Sequence, residues 1–191
     1  MELRIQAGRA VLLVVDVQER LFVVMNAEDR EQAERNIVTL VEMARRLAIP
    51  VVLSEQYKKG LGATVPSIEA ALAQPGVALE RFEKLEFACT DAAPFGPILE
   101  GHRKAGRDQW IVAGMETHIC VFQTVRGLAD KGAKVFVPKD AVLSRTRDNR
   151  ATGLELCERA GGVTTVTETI VFDVLQRAGG DDFKALSKLI K

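Results

Sequence analysis

Three residues able to take part in nucleophilic chemistry each follow an apolar run of the sequence. Cys120 ends the stretch AGMETHIC at 113–120, Asp16 ends the run AVLLVV, and Lys84 follows a weaker run. A carboxylate can take a thiol proton, and a lysine can stabilise the resulting anion while holding the carboxylate ionised. The N–H groups at a helix start also favour a thiolate and can form an oxyanion hole. The set therefore predicts an activated cysteine nucleophile with a lowered pKa.

Each of these residues also has a purely structural interpretation. A cysteine at a helix start is usually packed in the core. An aspartate after a buried strand often forms a turn, and Lys84 beside glutamates can be a solvated charge. Cys157 is expected to pack in the core, and Cys89 is expected near the pocket rim, where a role in resolving an oxidised cysteine is disfavoured. The residues alone leave the nucleophile and the structural interpretations of Cys120, Asp16 and Lys84 open.

The elements that must position these residues alternate between strand-like and helix-like patterns. Continuous apolar strands separated by helices indicate a parallel sheet covered on both faces, and ligands bind beyond the carboxyl ends of such strands. Asp16, Lys84 and Cys120 should therefore share one edge of the sheet. The predicted strands are Ala10–Val15, Ile49–Leu53, Val77–Phe82, Trp110–Ala113, Lys134–Val137 and Val163–Val166, and the predicted helices are Glu28–Ala48, Pro66–Ala73, Pro97–Ala105, His118–Lys131, Asp148–Ala160 and Asp181–Ile190.

Length and composition limit the class of protein. The 191 residues fit one domain, 1–191. Lysine plus arginine equals aspartate plus glutamate at 26 each, which disfavours a nucleic-acid partner. No apolar run approaches the ~18 residues of a membrane span, and the first ten residues lack the apolar core of a signal peptide. Three cysteines argue against a disulfide scaffold, so a cytoplasmic setting is expected. The absence of G-x-G-x-x-G and P-loop motifs argues against a nucleotide-binding enzyme.

Four segments resemble the isochorismatase-like cysteine hydrolases, and the resemblance runs from about Arg9 to the C-terminus. The order Asp, Lys, Cys and the pattern G-x-x-T-x-x-C are specific in combination. The segments are LLVVDVQE at 12–19, SEQYKKGLGAT at 54–64, FEKLEF at 82–87 and GMETHICV at 114–121.

The resemblance implies a Rossmann-like three-layer α/β/α sandwich with a six-stranded parallel sheet. It implies a catalytic triad of Asp16, Lys84 and Cys120, a cis peptide between Met115 and Glu116, and an oxyanion hole formed by the N–H groups of Glu116 and Cys120. By this resemblance Asp16 takes the thiol proton and the thiolate attacks a small amide or imidate-like carbon. Ammonia or an amine leaves, and water resolves the thioester. Isochorismatases proper cleave a vinyl ether and lack the cysteine, so Cys120 argues against that substrate.

The nicotinamidase branch of this family binds a metal through an Asp-x-His…His set shortly after the second strand. Here that region reads SEQYKKGLG and contains no histidine, and His102 and His118 lie elsewhere. We therefore predict no metal and no cofactor, and the chain resembles the isochorismatase-domain-containing branch instead. The predicted substrate-binding residues are Gln18, Phe22, Glu55, Gln56, Tyr57 and His118.

Some of these assignments have alternatives. Glu55, Gln56 and Tyr57 would line the pocket mouth, or they form a polar loop. His118 titrates near neutrality if it faces the site, and otherwise it points away. The competing functions are a thiol redox sensor and a binding protein with a vestigial site. The resemblance also implies a small-molecule substrate and a homo-oligomer, for which Ile170–Leu175 and the C-terminal helix offer a surface.

Overall fold

A parallel sheet with helices on both faces runs through the computed structural model, which describes residues 3–190. Its strand order is β3-β2-β1-β4-β5-β7, and the short β6 pairs with β4. This confirms the predicted α/β/α class and the six parallel strands, with β6 as an addition too short to carry a periodic signal. The strands are β1 Ala10–Val15, β2 Val51–Gln56, β3 Leu79–Lys84, β4 Gln109–Met115, β5 Lys134–Pro138, β6 Val142–Leu143 and β7 Val163–Thr165.

The predicted helices are present within a few residues of their expected bounds, but the predicted helix His118–Lys131 is divided. It begins as a π-helical turn, Thr117–Val121, and continues as an α-helix. A 3₁₀ turn at Cys89–Asp91 and three further helices were not predicted as such. The helices are α1 Glu19–Phe22, α2 Ala27–Arg46, α3 Lys58–Leu61, α4 Pro66–Leu72, α5 Phe95–Lys104, α6 Phe122–Asp130, α7 Arg147–Arg159, α8 Thr167–Leu175 and α9 Gly180–Leu189.

Two apolar cores lie on opposite faces of the sheet because successive side chains of a strand point to opposite faces. In β1, Leu12 and Val14 belong to the core that includes α2 and α8, whereas Leu13 and Val15 belong to the core beneath α6 and α7. All six residues of β1 are buried, which explains its continuous apolar sequence.

The edge strand β3 has a different pattern. Most of its residues are partly or fully exposed, but Phe82 and Lys84 are buried. Its pairing with β2 extends to Gln56 and Lys84, so both strands run further than the predicted ends at Leu53 and Phe82. Lys84 is therefore the last residue of a strand rather than part of the following loop.

The proposed oligomer surface at Ile170–Leu175 lies largely inside the subunit. Ile170, Val171 and Val174 are buried in the core shared with α2, whereas Phe172 is 37% exposed and its ring lies 6.1 Å from that of Phe183 of α9 in a tilted contact. Most apolar residues of this segment therefore serve the fold of one chain. Across residues 3–190, no helix combines the length and the apolarity that crossing a bilayer requires.

Candidate active site

Asp16 lies at the carboxyl end of β1 and is fully buried. Its backbone is in the left-handed region, with φ 52°, a conformation that aspartate tolerates better than most residues. Each carboxylate oxygen accepts one side-chain hydrogen bond: Ser54 Oγ donates to Oδ1 at 2.7 Å, and Lys84 Nζ donates to Oδ2 at 2.6 Å. Because a strained residue persists only where its surroundings fix it, this geometry marks Asp16 as a functional candidate.

Lys84 reaches Asp16 from two strands away and is almost fully buried. Its ammonium also donates to Gln56 Oε1 at 2.7 Å and to the carbonyls of Glu86 and Phe87, both at 3.2 Å. Burial alone lowers the pKa of Lys84, but the negative charge of Asp16 and the nearby thiols outweigh it, so the net shift is upward. Lys84 therefore stays positively charged and fully paired.

Cys120 lies in the π-helical turn that follows β4, just after the cis peptide between Met115 and Glu116. Its thiol lies near enough to Asp16 for that carboxylate to raise its pKa, and the side chain is only 6% exposed. Gly114, with φ 120°, makes this approach possible, because a Cβ there would collide with the Val15 backbone next to Asp16. The three predicted catalytic residues thus meet at one edge of the sheet.

The predicted lowering of the Cys120 pKa is wrong for the resting site. Burial raises the pKa of the thiol, and the charge of Asp16 raises it further, while Lys84 opposes them only in part. The positive charge of Lys84 lowers the pKa of the thiol less than expected, because Asp16 already neutralises that charge. Cys120 rests as a thiol beside a carboxylate.

This charge arrangement suits proton transfer within the site. Moving the proton from Cys120 to Asp16 converts a carboxylate–ammonium pair into a thiolate–ammonium pair and leaves the net charge unchanged. Losing the proton to solvent would instead leave an extra buried negative charge, which is costly. The site can therefore form its nucleophile when an electrophile is present, with Asp16 as the base.

Neighbouring segments hold the turn that carries Cys120. Thr117 does not cap a helix; its hydroxyl donates to the carbonyl of Leu143 in β6 at 2.9 Å. A Cβ on Gly153 of α7 would lie 2.6 Å from the backbone N of His118, so α7 packs directly against this turn. The buried carboxylate of Glu116 pairs with Arg145. The Arg145 Nε atom lies 3.1 Å from Oε2, and Nη2 lies 3.0 Å from Oε1. The position of the backbone that would supply the oxyanion hole is thus fixed from two sides.

Three of the predicted substrate-binding residues make side-chain contacts that support the loop after β2. Gln18 accepts from the Gln56 backbone N–H and donates to the Gly62 carbonyl, both at 2.7 Å. Glu55 is 2% exposed and pairs with Lys58 at 2.7 Å and with Thr64. The side-chain oxygen of Gln56 accepts from Lys84 Nζ, and its side-chain nitrogen donates to the carbonyl of Leu85 at 2.8 Å. Their side chains are engaged within the chain.

The other three predicted binding residues have different settings. Tyr57 is half-exposed, has φ 37°, and its backbone N–H donates to the carbonyl of Lys84 at 2.9 Å. Phe22 is partly buried in α1. The Nδ1 atom of His118 lies 3.1 Å from Ser144 Oγ, so that ring nitrogen is engaged away from the triad. Of the six residues, Tyr57 is the most exposed, at 49%.

The sequence reasoning missed several residues around the triad. Ser54 binds Asp16, and Cys89 lies 3.5 Å from the Ser54 hydroxyl. Leu85 and Phe87 are exposed by 69% and 56% just beyond Lys84. A serine at the end of a buried strand beside Asp16 was a usable signal, because neighbouring parallel strands end together. In the described part of the chain, no three His, Cys, Asp or Glu side chains are grouped as metal ligands would be.

Comparison with known proteins places this site in a family. The isochorismatase domain matches residues 10–169 of the chain. Isochorismatase domain-containing protein 2 of Bos taurus is 31% identical over 189 residues, covering 98% of this chain and 86% of its own. The MAR1 ribonuclease structure from Caenorhabditis elegans has a TM-score of 0.87 at 31% identity, covering 98% of this chain and 92% of that one. The YcaC structure from Escherichia coli, described as an octameric hydrolase of unknown specificity, has a TM-score of 0.87 at 21% identity, covering 100% and 90%.

The chain therefore belongs to the isochorismatase domain family, as its sequence motifs indicated. Several of its relatives are named isochorismatase domain-containing protein, and the structural neighbours are isochorismatase-like rather than nicotinamidases. Membership supports a hydrolase of this fold.

Proposed function

We propose that this protein is a cysteine hydrolase that cleaves a C–N bond in a small amide or imidate-like substrate. The observation that carries the proposal is the buried Asp16 carboxylate, which binds the Lys84 ammonium at 2.6 Å and lies beside the Cys120 thiol. Cys120 is the nucleophile, Asp16 the general base and Lys84 the electrostatic partner. The proposal requires no metal and no cofactor.

The first half of the reaction forms a thioester. Asp16 takes the thiol proton as the sulfur of Cys120 attacks the amide carbonyl carbon, whose oxygen takes up negative charge. The N–H groups of Glu116 and Cys120 are proposed to bind that atom, because donors aimed at developing charge stabilise a transition state. Protonated Asp16 then gives its proton to the leaving nitrogen, the C–N bond breaks, and ammonia or an amine departs.

The second half releases the product. Asp16, again a carboxylate, takes a proton from water as the water oxygen attacks the thioester carbon. The C–S bond then breaks, and Asp16 returns the proton to the Cys120 sulfur. Lys84 stays charged throughout, so it stabilises whichever of Asp16 and Cys120 carries the negative charge.

Three other functions compete with this proposal. The nematode neighbour is called a ribonuclease. Here the formal net charge is zero and the buried Lys84 cation is paired internally, which gives RNA little to bind. A redox sensor would use the same thiol, but the raised pKa of Cys120 reduces its reactivity toward oxidants. A vestigial site would not be expected to keep a buried ion pair that serves no reaction, because burying two charges costs desolvation free energy.

The proposal is tested with a panel of small primary amides and imidates, measuring released ammonia and the mass of any acyl-enzyme. Wild type should release ammonia and show an adduct on Cys120, whereas Cys120→Ala should do neither. Cys157→Ala is the matched control, since it also truncates a buried thiol but lies outside the site. RNA cleavage that persists in Cys120→Ala, or a panel without turnover and without adduct, would overturn the proposal.

We also propose that the protein acts as a homo-oligomer. Tyr57, Leu85 and Phe87 are exposed apolar residues on segments that meet at Lys84, and we call them the rim patch. Apolar clusters of this kind mark contact surfaces more often than they face water. The Escherichia coli neighbour is described as octameric, which supports assembly without fixing a number of subunits.

A further inference from the structure

We propose that Ser54 and Cys89 are positioning residues that hold the Asp16 carboxylate in the orientation needed to deprotonate Cys120. The inference rests on the proposed function and adds two residues to its machinery. Neither residue would touch the substrate. Both would act through Asp16, as successive members of one buried hydrogen-bond chain.

The chain of contacts is continuous and enclosed. Cys89 Sγ lies 3.5 Å from Ser54 Oγ, and Ser54 Oγ lies 2.7 Å from Asp16 Oδ1. All three side chains are fully buried. A buried hydroxyl without a partner is costly, so Ser54 must bond to the groups that it faces here.

The direction of the hydrogen bonds follows from the donors available. A serine hydroxyl has one proton, and a carboxylate can only accept, so the Ser54 proton points to Asp16. A lone pair of Ser54 then accepts from the Cys89 thiol. Burial, followed by the charge of Asp16, raises the pKa of Cys89 to about 11, so this thiol keeps its proton at neutral pH. Cys89 therefore orients the Ser54 hydroxyl toward the carboxylate.

This chain also assigns the two carboxylate oxygens. Oδ1 is held by Ser54 and Oδ2 by Lys84, so the carboxyl plane is fixed at both ends. The titratable groups that face Asp16 are Lys84 from β3, Cys120 from the π-helical turn and Cys89 from the 3₁₀ turn. A carboxylate pinned in this way presents a defined lone pair to the Cys120 thiol.

The far end of the chain is attached to the helix that follows the nucleophile. The Cys89 backbone N–H donates to Thr124 Oγ1 at 2.9 Å, and Thr124 lies in α6. Gly127 of α6 packs so closely on Thr90 that any Cβ there would collide with its side chain. The 3₁₀ turn thus links α6, which continues from the Cys120 turn, to Ser54 and the base. These contacts therefore hold the base Asp16 and the nucleophile Cys120 in a fixed relative position.

The test measures the rate at which iodoacetamide alkylates Cys120, followed by peptide mass mapping from about pH 5 to 9. Ser54→Ala should lower the rate at neutral pH roughly tenfold, because a hydrogen bond to a charged group is lost. The acid limb of its profile should move to higher pH, since a carboxylate that loses a donor binds its proton more tightly. Ser54→Thr, which keeps the hydroxyl, should restore both.

Cys89 offers a second, gentler comparison. Cys89→Ala should lower the alkylation rate of Cys120 about two- to threefold, because a thiol is a weak donor. Cys89→Ser should recover the wild-type rate. Cys157→Ala truncates another fully buried thiol in the same core and should leave the Cys120 profile unchanged. If Ser54→Ala folds poorly, the two Cys89 variants decide the matter.

The outcomes separate this inference from the proposed function. If Cys120 is alkylated more slowly in Asp16→Asn but keeps the wild-type pH profile in Ser54→Ala and Cys89→Ala, the positioning role is overturned. The proposed hydrolase function then still stands. Equal slowing in Cys89→Ala, Cys89→Ser and Cys157→Ala shows that packing alone matters and also overturns it. An unchanged profile in Asp16→Asn overturns both.

Discussion

Asp16 and Lys84 depend on each other because both are completely buried at their charged ends. Replacing one member of a buried ion pair leaves the other charge unpaired, which typically costs about 3–5 kcal/mol. Asp16→Asn is a well-matched change, since asparagine also tolerates the left-handed backbone at this position. The stability of the pair and its chemistry can therefore be separated by substitution.

We expect Asp16→Asn to lower the free energy of unfolding by roughly 3 kcal/mol and to slow turnover by about 100-fold or more. The double variant Asp16→Asn with Lys84→Met should recover much of the stability, because no unpaired charge remains, but none of the activity. Urea unfolding and ammonia release measure the two effects. A double variant as unstable as Asp16→Asn alone would contradict this account.

A second residue-scale prediction concerns Cys157, whose environment is apolar. Burial, followed by the charge of Glu158, raises the pKa of its thiol to about 12 from an ordinary value of 9.0. A group with a raised folded-state pKa contributes stability below its unfolded pKa and loses that contribution as pH rises towards its folded pKa. The relevant window is therefore about pH 9 to 12.

Within that window the unfolded chain releases the Cys157 proton while the folded chain keeps it. Wild type should lose stability with a contribution from this thiol of roughly 1 kcal/mol per pH unit. Cys157→Ala should show a correspondingly shallower decline, although it begins less stable because a buried side chain is truncated. Urea midpoints measured at several alkaline pH values test this, and parallel declines in the two proteins would count against it.

At the scale of single residues, the sequence predicted which three side chains would meet at one edge of the sheet, but not the residues that support them. Asp16, Lys84 and Cys120 could be predicted because each follows an apolar run of a parallel sheet. Ser54 was missed because a hydroxyl beside a carboxylate has no sequence motif of its own, and only its place after the predicted end of β2 at Leu53 pointed to it. Glu55 and Gln56 were interpreted as a loop at the pocket mouth, but β2 continues through them because β3 pairs with it as far as Lys84.

At the scale of elements, α7 is the support that sets the position of the Cys120 turn. Gly153 is where the two meet, since a Cβ there would lie 2.6 Å from the Thr117 carbonyl carbon and the His118 nitrogen. These are backbone atoms, so neither a rotamer change nor a flexible side chain can relieve the overlap. Either the helix or the turn must move.

We expect Gly153→Ala to destabilise the protein by about 1–3 kcal/mol, as overpacking does, and to reduce the alkylation rate of Cys120. Gly101 in α5 is the matched control, because it is helical and nothing lies within 4 Å of an added Cβ. Gly101→Ala should stabilise the protein by about 0.5–1 kcal/mol, through helix propensity, without altering Cys120. Equal behaviour of the two variants in both measurements would show that α7 does not position the turn.

The buried strands and long helices of the fold could be predicted, and the short elements could not. β1 and α2 carry strong periodic signals because they bury whole faces. The π-helical turn 117–121 was interpreted as ordinary helix, since hydrogen-bond spacing within a turn leaves no trace in apolar periodicity. α1 and α3, with four residues each, fold from local contacts around Gln18 and Gly62 that only the tertiary structure shows.

At the scale of the whole molecule, the order of the strands in the sheet brings the three predicted catalytic residues together. β1 and β4 are neighbours at the centre of the sheet, which brings Asp16 beside the Cys120 turn, and β3 lies two strands away at an edge. Only a long side chain such as lysine can reach across β2 to the base. The same edge position leaves the segment after Lys84 uncovered, so the rim patch of Tyr57, Leu85 and Phe87 is exposed.

The rim patch leads to a prediction about assembly. If it is a subunit contact, size-exclusion chromatography with light scattering should find wild type as an oligomer, and Leu85→Ser with Phe87→Ser should shift it to smaller species. Leu189→Ser tests the alternative contact at the C-terminal helix, because Leu189 is exposed by 46% and lies in α9. Because the patch includes the residue directly after Lys84, dissociation should also change the access of iodoacetamide to Cys120. A monomeric wild type would refute the oligomer, whereas an oligomer unaffected by the double variant would place the contact on another face.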